Sequence, residues 1–247
     1  MDLGANVYVS AENLMQFALM GYAYFSIIDP KRKPKIGLIN IGTENNKGLE
    51  FLQEAHDLIS NSILKNDFLG FIEPNKITQG ECDIILSDGY TGNIILKTAE
   101  GLSDFITLNL KNMFIKSFKN KFAFKILEKD MKVFKNQIDP DEYNGATLLG
   151  VNGISVKSHG RANPYAFSCA LNKCYDFISN NLNKKIIDNF KSWYVQMELI
   201  SNFTRDDIAE SLHNEFGLTK KECIIFVNDI ISLIIEGLKD KGYVKIH

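Results

Sequence analysis

Residues 82–98 read CDIILSDGYTGNIILKT, and this stretch decides the fold. A short apolar run, Ile84 to Leu86, stops at Ser87, Asp88 and Gly89. A second apolar run opens near Ile94, with Lys97 and Thr98 behind it. The order spelled out is buried strand, glycine turn, helix, with the helix expected from about Ile94.

Outward from this stretch the same order recurs. KIGLINIG (residues 35–42) is a β-rich run that ends in glycine, followed by polar TENNKG and a helix expected over about 49–60. DFLGFIE (67–73) supplies another short strand. Near the start, DLGANV (2–7) reads as a strand end running into a glycine turn, and Ser10 then caps a helix expected over about 11–24, with Glu12 in its first turn. Repetition of this unit predicts an α/β layered sheet, in which ligands sit at the carboxyl edges of the strands. The first strand begins at residue 2 with nothing ahead of it. A domain of this type rarely opens that way, so an N-terminally truncated domain is expected.

Composition sets the class. At 247 residues, 45% hydrophobic and 23% charged, the chain fits one large globular domain with a small appendage. A formal net charge of -2 carries no nucleic-acid footprint over the whole chain. Cys82, Cys169, Cys174 and Cys223 have no CxxC spacing and largely apolar neighbours, so reduced, buried thiols are expected, with neither a disulfide nor a metal site. The apolar run at residues 14–28 is too short to span a bilayer and is interrupted by Gln16 and Gly21. It reads as a buried helix, and without a visible signal peptide a cytoplasmic location is expected.

Three glycine turns gather polar groups: DLGAN with Asp2, Gly4 and Asn6; NIGTENNKG with Asn40, Gly42, Thr43, Glu44, Lys47 and Gly48; and SDGYTGNIILKT with Asp88, Gly89, Thr91, Gly92, Asn93, Lys97 and Thr98. Backbone N–H groups freed at such turns, beside a helix N-terminus, make an anion site, and Lys47 or Lys97 supplies the positive charge phosphate needs. A glycine after a strand is also ordinary turn chemistry, and only the recurrence in one sheet favours a phosphate cleft. No GxxxxGK[ST], GxGxxG, GxSxG or HExxH is present. His159 in KSHG, close to Lys157, is the best candidate base; a hydrogen-bonded histidine at a strand end is an equal reading of the residue type.

Downstream the character changes. Residues 109–137 carry eight lysines against Glu128 and Asp130, while Phe114, Phe118, Phe122 and Ile126 recur every four residues as one apolar stripe. Then come YNGATLLGVNG (143–153), a strand at ISVKSHG (154–160) and a helix expected over about 164–180. Residues 181–202 read as a polar linker and a domain boundary. In 203–247, Thr204 with Asp207 opens a helix that Gly217 stops, and Thr219 with Glu222 makes a capping box for a second helix ending near residues 239–242, before a strand start at YVKI.

The strings DLGANV, GLINIGTE…KG, DIILSDGYTGNIILKT, YNGATLLGVNG and KSHG resemble, in this order and spacing, motifs of the C-terminal half of the bacterial acyl-carrier-protein:phosphate acyltransferases, over about residues 1–180. The resemblance implies a three-layer α/β/α sandwich similar to phosphotransacetylase and isocitrate dehydrogenase relatives. It implies formation of acyl-phosphate from acyl-[acyl-carrier protein] and inorganic phosphate, at the start of phospholipid synthesis, with no metal and no cofactor. A phosphate oxygen would attack the thioester carbonyl, so the site must hold a polyanion and stabilise an oxyanion. Lys97, Asp88, His159 and Lys157 are the expected catalytic residues. Asn6, Asn40, Gly42, Thr43, Lys47, Gly89, Thr91, Gly92, Asn93 and Asn152 are expected to bind phosphate and substrate. The family's helical hairpin touches the membrane, which assigns Phe114, Phe118, Phe122 and Ile126 to peripheral contact with an anionic surface; an amphipathic helix pair packed in a homodimer is the competing reading. Three positions depart from the family pattern: Tyr8 stands for an acid, Phe71 for an asparagine and Thr147 for a proline.

Residues 203–247 instead resemble the N-terminal helical hairpin of the HU and integration-host-factor DNA-bending proteins. Six basic residues against eight acidic ones neutralise phosphate poorly, so DNA is an improbable partner and a dimerising hairpin is expected. A chain that joins two gene fragments and catalyses nothing is the alternative to an enzyme.

Overall fold

The computed structural model describes residues 1–138, 144–160, 162–201 and 205–241, in two compact units, Met1–Trp193 and Tyr194–His247. In the first unit, Ser10 caps α1 (Ala11–Ile28) as expected, through a box with Asn13, two positions inside the helix start. The helix runs four residues past the expected end. It is apolar nearly all round, and ten of its eighteen residues are buried, as a helix inside a core requires.

Three parallel strands, β1 (Ile36–Ile39), β2 (Phe68–Ile72) and β3 (Ile84–Leu86), form the main sheet in the order β2-β1-β3. Central β1 is buried at every position, which is why its sequence runs apolar without alternation. Helix α2 (Glu50–Ser60) links β1 to β2, and a 3₁₀ turn at Pro74–Gln79 leads towards β3. This is the α/β fold expected from the strand–turn–helix rhythm. Arg32 ties the loop after α1 to the start of β3: its guanidinium grips Asp83 at 2.8 and 2.7 Å, bonds Asp29 at 2.8 Å and lies 4.8 Å over the Phe25 ring. That grip, first among the causes, lowers the Asp83 pKa.

Two expectations fail here. Helix α3 spans Gly89–Ile115, beginning five residues before Ile94, because the Asp88 carboxylate accepts the Thr91 N–H at 2.7 Å and caps it. Gly89 and Gly92 therefore belong to the first helical turn. Residues 182–201, expected within a polar linker, form α6 (Leu182–Ser201), and Leu182, Ile186 and Trp193 lie in the main core. With Phe190 packed against that core, the apolar positions fall at helical spacing among the polar ones, and Asn189 Nδ2 bonds the Leu19 carbonyl at 3.1 Å. The boundary between units falls inside this helix, at Trp193 and Tyr194.

Helix α4 (Phe118–Ile138) follows α3 after a tight turn in which Ser117 Oγ caps Asn120 N and Asn120 Nδ2 bonds the Met113 carbonyl at 2.6 Å. A small antiparallel sheet of β4 (Ala146–Leu148) and β5 (Ser155–Lys157) precedes α5 (Pro164–Ser179), which Asn163 caps. Besides the end of α6, the second unit holds a hairpin of α7 (Arg205–Phe216) and α8 (Lys220–Lys241). Gly217 stops α7 in the left-handed region at φ 69°, and Thr219 and Glu222 form the predicted box. Among its described residues the core is Ala209, Cys223 and Val227, with Leu212 and Ile231 against them. Thr204 and the expected strand at YVKI lie outside the described residues.

Candidate functional site

Parallel register sets the site. Leu38 pairs with Leu86, so the loops after β1 and β3 leave the same edge of the sheet on adjacent strands, about 5 Å apart. Asn40 is the first residue past β1 and is only 3% exposed. Its Nδ2 donates to the Lys47 carbonyl at 2.9 Å and its Oδ1 accepts from Ile41 N at 2.9 Å, closing the 40–48 loop on itself. Gly48, at φ 87°, is required there, because a Cβ would overlap the Asn40 amide. Lys47 Nζ pairs with Glu44 at 2.9 Å on the exposed rim, next to Gly42 and Thr43.

The DLGAN turn closes onto the same edge. The Asp2 carboxylate accepts from Gly4 N (2.8 Å), Ala5 N (2.8 Å), Asn6 N (2.6 Å) and Asn6 Nδ2 (2.8 Å). Burial alone would raise the pKa of Asp2; the donors from Ala5, Asn6 and Gly4 outweigh it and lower the value. These N–H groups, expected to face a ligand, are occupied by the turn's own carboxylate. The Asn6 carbonyl accepts Gly89 N at 2.8 Å, and Ser87 Oγ reaches the Asp2 carbonyl at 3.2 Å. A Cβ on Gly89 would come within 2.6 Å of the Asn6 carbonyl oxygen, so both glycines of the α3 start exist to let this turn approach. Asn93 lies beside Gly4, where an added Cβ would stand 3.5 Å from its side chain.

The structure thus brings Asn6, Asp88, Gly89, Thr91, Gly92 and Asn93 together, with the Asn40–Lys47 loop leaving the neighbouring strand. Both Asp88 oxygens are engaged by Thr91, through N at 2.7 Å and Oγ1 at 2.7 Å, which makes Asp88 a cap before it is an acid or base. Lys97 stands nine residues beyond Asp88, about 13 Å along the helix, and pairs with Glu100 at 2.7 Å. It does not reach the helix start. Lys47 is the cation at the edge. Gly89 N and Thr91 N are taken by the Asn6 carbonyl and the Asp88 carboxylate. What this edge offers a compact anion is therefore the α3 dipole and the Lys47 charge rather than free turn amides.

A family described as fatty acid synthesis protein matches residues 1–185. The chain belongs to that family. Its relatives include proteins named phosphate acyltransferase from Polaromonas sp. (43% identical over 188 residues, 75% of this chain and 51% of the relative), Clostridium tetani (42% over 199 residues, 81% and 58%) and Legionella pneumophila (41% over 196 residues, 79% and 57%). The chain spans about half the length of the curated relatives it matches.

Other residues assigned through the fatty acid synthesis family lie elsewhere in the first unit. Lys157 ends β5 and His159 follows it, both exposed, while Asn152 sits in the exposed turn between β4 and β5. The residue that holds this region was missed. Asn144, 7% exposed, donates to Ser158 Oγ (2.8 Å) and the Ala166 carbonyl (2.7 Å) and accepts His159 N (2.9 Å). Its signal lay in the quoted YNGATLLGVNG run. Ser87 was likewise passed over although it flanks a glycine turn, and Asp2, named among the polar groups of its turn, serves to hold that turn. Phe71, where an asparagine was expected, is buried and stacks on His56 at 4.8 Å.

The expected apolar stripe is divided. Phe114 is on α3 and meets Phe124 of α4 at 5.2 Å, whereas Phe118, Phe122 and Ile126 follow the Ser117 turn on an exposed face of α4. Between the two helices is a groove of about 520 Å³ lined by Leu110, Phe114, Phe124 and Met131, with Lys111, Lys121 and Lys132 at its rim. Among the described residues no helix is long and apolar enough to cross a membrane, and no cluster of potential metal ligands occurs.

Proposed function

We propose that this chain carries one wall of a phosphate acyltransferase site, where inorganic phosphate attacks the thioester of acyl-[acyl-carrier protein]. One phosphate oxygen forms the new bond to the acyl carbon, the carbon–sulfur bond breaks, and the thiolate leaves with the carrier and takes up a proton. The supporting observation is the gathering of Asn6, Asn93 and the α3 N-terminus at one sheet edge beside the Asn40–Lys47 loop, in a family whose members are named phosphate acyltransferases. Lys47 and the helix N-terminus hold phosphate; Asn40 and Asp88 set the loops; Asn93 faces the reacting group. No cofactor takes part. Lys157, His159 and Asn152 serve the acyl-carrier side, and Lys97 acts in positioning.

Because the chain spans about half of its relatives, turnover requires the rest of the family fold. The test is acyl-phosphate formation from acyl-[acyl-carrier protein] and phosphate, with and without the N-terminal half of the Clostridium tetani relative. Turnover only in the mixture, lost by about a hundredfold in Lys47→Ala, is expected. Absence of turnover in both arms leaves the non-catalytic reading.

The α3–α4 hairpin supports peripheral attachment to the inner face of the cytoplasmic membrane: Phe118 is 86% exposed among lysines. Salt-sensitive flotation with anionic vesicles, lost in a Phe118→Asp, Phe122→Asp variant, is the expected result. Among the described residues the α7–α8 hairpin buries only Ala209, Cys223 and Val227 and leaves Phe226 and Leu233 exposed, which favours pairing of two copies over DNA binding; equilibrium sedimentation showing a monomer would exclude it.

A further inference from the structure

The α3–α4 hairpin carries two apolar faces. Phe118, Phe122 and Ile126 recur at four-residue intervals along an exposed face of α4. Phe124 and Met131 instead line, with Leu110 and Phe114 of α3, the groove of about 520 Å³ between the helices. The Phe114 and Phe124 rings meet there at 5.2 Å. The volume falls in the range of small-molecule sites, about 300–1,000 Å³, and the groove is long. Its lining on α4 runs from Lys121 to Phe134, about 20 Å at a helical rise of about 1.5 Å per residue. A bilayer core of about 30 Å is two acyl chains deep, so one extended chain measures about 15 Å. A single chain therefore fits along the groove.

The uncommitted charge stands at one end. Lys111 precedes Ser117 by six residues and Lys121 follows it by four, so both lie beside the turn that joins the helices. Among the described residues neither has an ion-pair partner. Further along α4, Glu128 and Lys132 stand one helical turn apart and offset each other. An apolar channel with two free cations at one mouth is complementary to an alkyl chain that ends in an anion. A second copy of the chain seated on this groove would instead double the excess of lysine there.

We propose that this groove binds one fatty acyl anion, with the chain along Leu110, Phe114, Phe124 and Met131 and the anionic head between Lys111 and Lys121. The inference rests on the acyltransferase reading for the source of that ligand, the acyl-phosphate product, whose phosphoryl head supplies the charge. The hairpin then does two separate things: Phe118 and Phe122 meet a lipid surface, and the groove beside them holds the product's chain out of water.

Titration calorimetry of the full chain with dodecyl phosphate below its micellar concentration tests it, since this ester keeps chain and head without the labile anhydride. One site per chain is expected, weakened at least about tenfold by the double variant Lys111→Glu, Lys121→Glu. Both side chains are exposed, so the circular dichroism spectrum should not change. Dodecanol, which has no charge, should bind the wild-type chain and this variant within about twofold of each other. The Phe118→Asp, Phe122→Asp variant should keep its affinity for dodecyl phosphate while losing vesicle flotation. No binding by the wild-type chain, equal binding by the lysine variant, or loss in the phenylalanine variant overturns the groove site. So does a dimer that dodecyl phosphate does not enter. Binding as expected, without acyl-phosphate formation in the mixture with the Clostridium tetani half, upholds the groove and overturns the acyltransferase reading; formation without binding does the reverse.

Discussion

Helices α1 and α4 are both long and rich in apolar residues, yet they end in opposite environments. Ten residues of α1 are buried, and it carries no lysine; no described residue of α4 is buried, and its phenylalanines stand between lysines. The contrast teaches that apolar content alone does not place a helix. Without interleaved charge, α1 had no solvated face and became the centre of the core. In α4 each aromatic ring keeps a cation within a turn, so the helix stays at the surface with a face left for another partner.

Replacement of Leu19 in α1 by alanine should break the contrast most, removing about 3–5 kcal/mol of stability in urea unfolding, because the side chain is fully buried. Next comes pH. The Met1 amino group, packed against the α1 core, has a folded pKa of about 6 against an ordinary 8.0, so the unfolded chain binds the extra proton between these values. Stability of the first unit should rise as pH increases from about 6 to 8, by about 3 kcal/mol at most, and N-acetylation should flatten the slope. Asn144→Ala should cost about 2 kcal/mol by leaving buried donors and acceptors unpaired, seen as faster hydrogen exchange in β4 and β5. Phe122→Ala should change stability by less than about 0.5 kcal/mol while weakening vesicle binding.

The α/β rhythm was legible because each strand is a short Ile/Leu run ended by a polar residue or glycine, signals that act locally. The start of α3 was not. Gly89 and Gly92 look like turn residues, but their lack of a side chain serves the approach of residues 2–6, more than eighty positions away, and Asp88 caps a helix there instead. The early start also carries Lys97 down the helix, away from the α3 N-terminus. Residues 182–193 were misread for a related reason: Asn and Lys set the local composition, while Leu182, Ile186, Phe190 and Trp193 set the face. Asn6, Asn40 and Asn93 stand in or beside loops that glycine marks, so their gathering at one sheet edge was legible from local signals. Asn144 was overlooked, since nothing local shows that an amide will be buried.

The Asp2 turn separates two kinds of electrostatics in the site. Four donors held by one covalent turn neutralise its carboxylate at hydrogen-bond range, where added salt has little leverage. The lysine at the edge is different: Lys47 and its exposed Glu44 partner are screened as ionic strength rises. Ionic strength therefore acts on the charges at the edge and leaves the frame alone, so that salt should weaken the proposed phosphate capture without altering the shape of the turn.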